Sequence, residues 1–170
     1  IRFDEASELA SFGAKVLHPS TISPAVRLGI PVYIYHSRNP EGTGTLITFD
    51  APKRAVSALA GKQGVTVIKV RSPRMLLQHG FLRTLFEVFD RHRTSVDVVA
   101  TSEVSVSVTI DDATHLDSLV VDLSHLGDVS VERNRGIVAI VGAGLTDSSE
   151  AMSRALASLR FHFIAGVTFR

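Results

Sequence analysis

The stretch that decides the fold is Val104–Ile110 (VSVSVTI), in which aliphatic and hydroxyl-bearing side chains alternate without interruption. Successive side chains of a β-strand point to opposite faces of the sheet, so this alternation predicts a strand with one buried and one wet face. Half-buried strands of this kind are typical of antiparallel sheets. We expect the aliphatic residues to face the core and the hydroxyl-bearing ones to face solvent: Val104, Val106, Val108 and Ile110 against Ser105, Ser107 and Thr109.

The segments on either side of this strand complete a regular unit. A β-rich run at Val65–Arg71 is followed by an apolar stripe at helical spacing that begins at Phe81 and ends near His92. A strand at Val96–Val99 leads into the alternating strand, after which an amphipathic helix and a short strand at Val129–Glu132 are expected. The order β-α-β-β-α-β predicts an α+β, ferredoxin-like module: a four-stranded antiparallel sheet with two helices on one face.

The residues outside this unit form two further blocks. Up to Thr48 we expect a helix ended by Pro19, a short helix around Pro24–Leu28, and strands at Ile30–Tyr35 and Thr45–Phe49. Residues 50–64 are interpreted as a joining segment with some helical character. A second copy of the module begins at Gly136, with a strand over 137–141, a turn over 142–144, a helix over 148–159 and a last strand over 160–169.

Composition excludes several function classes. The formal net charge of +1 provides no strong field for nucleic acid or an anionic membrane. The chain has no cysteine, and no apolar run reaches the roughly 18 residues of a membrane-spanning helix. It opens at Ile1 without a signal-peptide pattern, which we interpret as a cut inside a longer protein.

Polar groups gather at two places in the predicted module. Gly80 lies in the loop before the first helix and allows a ligand to approach the backbone closely, while the amides of that helix start can hold a carboxylate. Asp97 is on the second strand, and Thr101, Ser102 and Glu103 are at the following hairpin. Such groups suit a zwitterion with an extra amine, but on spacing alone both acids are more simply interpreted as ordinary surface charges.

Other candidate sites are weaker. The histidines do not show metal-ligand spacing, so no metal site is predicted, and His79 and His92 are expected to be solvated. Gly142-Ala143-Gly144 lacks the lysine and hydroxyl of a phosphate loop and is interpreted as a turn. Lys15 can reach a phosphate or be a surface charge.

Five stretches together resemble aspartokinases. Phe12–Pro19 (FGAKVLHP) resembles the motif that closes their catalytic domain, and Pro40–Ile47 (PEGTGTLI) is similar to the exit from it. Ser72–Phe86 (SPRMLLQHGFLRTLF) and Ser95–Thr109 (SVDVVATSEVSVSVT) resemble the first ACT module of the lysine-sensitive, monofunctional branch. Ile137–Leu145 (IVAIVGAGL) resembles the start of the second. The resemblance implies a remnant of an α/β amino-acid kinase domain at 1–48, a linker at 49–64, a first ACT domain at 65–134 and a partial second at 135–170.

The family phosphorylates the side-chain carboxylate of aspartate with ATP, accompanied by magnesium, on the route to lysine, threonine and methionine. The resemblance implies a cytoplasmic enzyme whose first ACT modules form a homodimer and bind an inhibitory amino acid, most simply lysine, at their interface. Lys15 matches the lysine that reaches the nucleotide. The matching effector contacts are Met75, Gln78, Gly80, Ser95, Val96, Asp97, Thr101, Ser102 and Glu103.

Departures from the family pattern leave some points open. Leu77 and Gln78 replace smaller or more polar residues of some relatives, which leaves the choice between lysine and threonine open. Residues 160–170 do not follow the second module. The phosphate-cradling and aspartate-binding segments are not in these 170 residues, so no catalytic residue is assigned and we expect no activity from the fragment alone.

Two other functions compete with a regulatory fragment. A free-standing ACT-type amino-acid sensor would not need the Phe12–Pro19 block. RNA binding on a ferredoxin-like sheet requires aromatic residues on the exposed face, where this sequence has Ser105, Ser107 and Thr109.

Overall fold

The computed structural model describes residues 1–14, 18–76 and 78–158. These residues fall into two compact units, the first formed by 1–62 with 137–158 and the second by 63–136. The boundaries lie inside two long strands. In chain order the elements are α1 (Phe3–Ser11), α2 (Pro19–Leu28), β1 (Val32–Ile34), β2 (Thr45–Ile47), β3 (Ala58–Arg71), a 3₁₀ turn (Pro73–Leu76), α3 (Phe81–Arg91), β4 (Val99–Thr101), β5 (Ser105–Ile110), α4 (Leu116–Ser124), β6 (Asp128–Val141) and α5 (Ser149–Ser158).

The four-stranded sheet has the order β4-β5-β3-β6, and β5 is antiparallel to both of its neighbours. Val106 pairs with Val70, and Val108 pairs with Ile68 on one side and Val99 on the other. Together with α3 and α4 this is the split βαβ, ferredoxin-like arrangement, so the predicted α+β fold is confirmed.

The core of the second unit lies between one face of this sheet and the two helices. On α3 the buried residues recur at intervals of three and four, so they form one stripe along the helix. The alternation of β5 is confirmed from Val106 onward, whereas Val104 is half-buried because it precedes the strand. The buried cluster consists of Ile68, Val70, Phe81, Leu85, Val88, Phe89, Val106, Val108, Ile110, Leu116, Leu119 and Leu123.

The first unit has a separate small core. Phe3 and Ala6 of α1 pack with Ile22 of α2 and Ile47 of the β1–β2 ribbon. The sequence predicted a longer first helix, ended by Pro19, and a second helix that begins near Pro24. In the structure α1 ends at Ser11, and α2 already begins at Pro19, since proline is well tolerated in the first helical turn.

Two expectations for the segments that join the modules are wrong. Residues 58–64 show no helical character and form the first half of β3, and residues 129–132 and 137–141 belong to one continuous strand, β6. The two long strands are neighbours in the sheet, and ladder hydrogen bonds between distant segments override a weak local pattern. Within β6, Asn134 has a φ of 55°, a left-handed conformation that asparagine tolerates.

The other differences are at the chain's second half. β4 begins at Val99 rather than Val96, and α5 spans Ser149–Ser158. The strand predicted over 160–169 lies outside the described residues. Among the described helices, none is both long and apolar enough to cross a bilayer.

Candidate functional site

The loop between β3 and α3 carries three of the predicted effector contacts. Met75 lies in the 3₁₀ turn and packs, half-buried, against the core of the second unit. Gln78 is exposed, and its backbone amide donates to the backbone carbonyl of Arg74 at 3.0 Å. Gly80 is the N-cap of α3 with a φ of 81°, a conformation that favours glycine. Because Gly80 has no side chain to accept from the first-turn amides, the helix start can receive a carboxylate.

The hairpin between β4 and β5 carries three more of the predicted effector contacts. It lies at the same end of the sheet as the loop before α3. Thr101, Ser102 and Glu103 are exposed there. Ser102 closes the turn: its amide donates to the Ser105 carbonyl at 2.8 Å, and its hydroxyl accepts from the Ser105 amide at 3.1 Å. The structure therefore places this hairpin and the loop before α3 at the same end of the sheet, because the loop follows the last residue of β3 and the hairpin precedes the first residue of β5, and these two residues are paired.

A backbone hydrogen bond shows the same proximity. The amide of Ser72, directly after β3, donates to the carbonyl of Val104, directly before β5, at 2.8 Å. This bond extends the β3–β5 ladder by one step beyond the pair Arg71 and Ser105. The chain that leads to Met75 is thus tied to the end of the hairpin.

Ser95, Val96 and Asp97 lie before β4, at the opposite end of that strand. Val96 is half-buried against the core, whereas Ser95 and Asp97 are exposed. Asp97 and Thr101 are four residues apart, which corresponds to about 13 Å along an extended strand. The nine predicted contacts of one chain therefore fall into two separate groups.

The approach to β4 contains a β-bulge that the sequence did not predict. The amide of Asp97 donates to the Thr109 carbonyl at 2.9 Å, while the Val98 amide donates to the Thr109 hydroxyl at 3.1 Å. Two residues of one strand thus oppose a single residue of its neighbour, which turns side chains relative to a regular ladder. The predicted strand over 96–99 begins three residues late for this reason, and the bulge sets the position of Asp97.

Glu5 lies in the first turn of α1, where an acidic side chain suits the helix dipole. Glu5 is 3% exposed. Its Oε1 accepts from the Ser57 hydroxyl at 2.7 Å and the Ala143 amide at 2.9 Å, and its Oε2 accepts from the Arg2 amide at 2.9 Å. Only the last contact has a local signal, since a glutamate three residues after a helix N-cap commonly bonds back to it.

The charge of Glu5 is stabilised where it lies. Burial by itself raises the pKa of this carboxyl, but the hydrogen bonds from Arg2, Ser57 and Ala143 lower it, and the net pKa is below the ordinary value. A carboxylate that accepts several hydrogen bonds is favoured in its ionised form. Glu5 is therefore a buried anion at neutral pH.

The remaining sequence candidates have simpler outcomes. Lys15 lies outside the described residues. The predicted turn over 142–144 packs closely on residues 54 and 55, where a side chain at Gly142 would collide with the Ala55 carbonyl. In the part of the chain that the structure describes, no cluster of three or more histidine or acidic side chains could hold a metal ion. His79 is exposed as predicted, whereas His92 is half-buried and its side chain is only 16% exposed.

Comparison with curated proteins finds similarity to aspartokinases. No family model matches the chain. It is 42% identical over 153 residues to the chloroplastic aspartokinase 3 of Arabidopsis thaliana, covering 84% of this chain and 27% of that protein. It is 41% identical over 155 residues to the lysine-sensitive aspartokinase 3 of Escherichia coli K12, covering 86% and 34%. The chain spans about a third of the length of these relatives.

Solved structures show the same similarity. Escherichia coli aspartokinase III in complex with lysine and aspartate matches with a TM-score of 0.74 and 43% identity, covering 84% of this chain and 33% of that one. The same enzyme with aspartate and ADP matches with a TM-score of 0.83 and 36% identity, covering 99% and 40%. A chain assigned as a C-terminal regulatory domain of aspartate kinase from Porphyromonas gingivalis is 39% identical, with a TM-score of 0.57, and is covered over 80% of its length by 69% of this chain.

Proposed function

The chain belongs to the aspartokinase family, and on that premise we propose that it is the feedback-regulatory part of an enzyme that phosphorylates L-aspartate with ATP. Residues 1–48 are the end of the catalytic domain, 49–64 a linker, 65–134 the first ACT module and 135–170 part of the second. The compact unit over 63–136 supports the limits of the first module.

One observation supports an amino-acid effector above all: the loop with Met75 and Gly80 and the hairpin with Ser102 and Glu103 lie at the same end of one sheet. The amides at the start of α3 suit the carboxylate of an amino acid, and the acid and hydroxyl of the hairpin suit an ammonium group. The ligand is lysine, as the complex of the similar Escherichia coli enzyme supports.

Two copies of the chain complete the site. A lysine side chain spans five bonds of about 1.5 Å each, so it does not bridge the roughly 13 Å along the strand between Asp97 and Thr101 of one chain. Asp97 of a second copy reaches the same ligand if the modules pair about a two-fold axis. β4 is an edge strand of the sheet and provides a surface on which such a pair can form.

The cofactor belongs to the whole enzyme. ATP with magnesium is bound by the catalytic domain, and Lys15 contacts the nucleotide there; the ADP complex of the Escherichia coli enzyme supports the nucleotide. We place the enzyme in the cytoplasm, while the Arabidopsis relative is a chloroplastic protein.

Calorimetry against lysine, threonine and methionine, each separately, tests this function. We expect saturable binding of lysine and much weaker binding of the other two. Sedimentation of the same samples should show a dimer at high protein concentration. Threonine binding that is tighter than lysine binding would reassign the effector, and the absence of binding to all three would reject a sensor role.

A further inference from the structure

The Glu5 carboxylate joins three segments that are far apart in sequence. Ser57 is 52 residues from it and Ala143 is 138 residues from it, yet both donate to the same oxygen, Oε1. Arg2 donates to the other oxygen at 2.9 Å. These segments are the helix at the end of the proposed catalytic part, the linker and the turn in the proposed second module.

The two distant donors stand at the ends of the two long strands. Ser57 directly precedes β3, and Ala143 follows the last residue of β6 by two positions. The Ser57 amide also donates to the Val141 carbonyl at 2.8 Å, so the two strand ends are bonded to one another. A single carboxylate therefore holds the start of β3 and the end of β6 against α1.

Each of these elements continues into a part of the proposed regulatory machinery. β3 leads into the 3₁₀ turn that carries Met75, and α1 is followed by the segment that contains Lys15. We propose that Glu5 is a positioning residue that couples effector binding to the kinase segment, by fixing the ends of β3 and β6 to α1. This inference rests on the proposed function and names the contact through which the regulation passes.

The contact requires a carboxylate. All three partners are donors, and both oxygens of Glu5 are engaged. Glutamine would replace one oxygen by an NH₂ group that faces a donor, so at least one of the three bonds would be lost. Glu5→Gln thus removes the charge and breaks the junction while it keeps the size of the side chain.

The test uses the full-length aspartate kinase that carries this chain. Binding at two coupled sites is reciprocal, so the coupling is measured as the ratio of the lysine Kd with and without saturating aspartate and ADP. In the unmodified enzyme we expect this ratio to be at least about five. Glu5→Gln should reduce this ratio of Kd values at least threefold, toward the value of one that means no coupling. The exposed Glu41, changed to Gln, is the charge-matched control and should leave the ratio unchanged.

Ser57→Ala removes one donor and keeps the carboxylate, so it should also lower the ratio of Kd values, but by less than Glu5→Gln. If Glu5→Gln does not fold, Ser57→Ala alone tests the coupling role. A ratio that stays unchanged in Ser57→Ala and in folded Glu5→Gln, with only a lower melting temperature, would overturn the coupling role. An unmodified enzyme that does not bind lysine would instead be a failure of the proposed function.

Discussion

His92 bonds to Asp122 across the two helices that cover the sheet: Nε2 of the imidazole lies 2.9 Å from Oδ2 of the carboxylate. The other ring nitrogen lies 3.2 Å from the Ser118 hydroxyl, and Arg91 contacts the same carboxylate oxygen at 3.2 Å. The sequence predicted a solvated histidine at a helix end. The structure instead shows that the end of α3 is fastened to α4 by this residue.

Asp122→Asn should lower the melting temperature at neutral pH by no more than a few degrees. The hydrogen bond from His92 is the main reason that the pKa of Asp122 lies below its ordinary value of 3.8; desolvation opposes it, and the charges of His92, Arg91 and His125 add to it. A lowered folded-state pKa stabilises the fold above the unfolded value, and the stabilisation is lost as the pH falls through the folded one. The difference from the unmodified chain should therefore shrink below about pH 4.

Asp117→Asn is the control for this experiment, because it changes the same charge on the same helix. Its side chain is 99% exposed and lies 3.5 Å from Arg133. Surface ion pairs contribute little to stability, so the melting temperature of the Asp117→Asn variant should hardly differ from that of the unmodified chain at any pH. Equal effects of the two substitutions would show that helix charge, and not the bond to His92, is responsible.

Leu85→Ala should destabilise the second unit by about 2–5 kcal/mol, because Leu85 is 0% exposed and its truncation leaves a cavity between α3 and the sheet. Leu82→Ala, on the same helix, removes the same atoms from a residue that is 39% exposed and should cost less than about 1 kcal/mol. Urea denaturation of both variants measures the difference. Similar losses would contradict the position of the core.

Thr109→Val should lower stability by roughly 1 kcal/mol, since it keeps the shape of the side chain but leaves the half-buried Val98 amide without its acceptor. It should also weaken lysine binding, because the bulge sets the position of Asp97. Thr109→Ser retains the hydroxyl and should preserve both properties. If urea denaturation and calorimetry do not distinguish Val from Ser at this position, the hydroxyl has no part in shaping the strand.

Asp97→Ala should weaken lysine binding at least tenfold, which corresponds to about 1.4 kcal/mol, because the side-chain ammonium loses an acid partner. Threonine has no such ammonium, so its weak binding should not change. Calorimetry with both amino acids separates the effects. A variant with a lower melting temperature and intact lysine affinity would assign Asp97 a structural role and remove the case for lysine over threonine.

The sequence by itself determined the β-α-β-β-α-β order of the ferredoxin-like module, because its signals are local. The period of two in Ser105–Ile110 and the helical stripe of α3 are each set within one element, and they predict which face is buried. The motifs at Phe12–Pro19 and Ser95–Thr109 likewise led to the family that the comparisons confirm.

Only the tertiary structure decided how distant segments meet. The extension of β3 back to Ala58 depends on its pairing with β6, and the bulge before β4 depends on a hydroxyl from β5. The junction at Glu5 depends on a donor 138 residues away. Hydrogen bonds between such segments leave no periodic trace in either one, because each donor or acceptor is a single group whose partner is chosen by the fold.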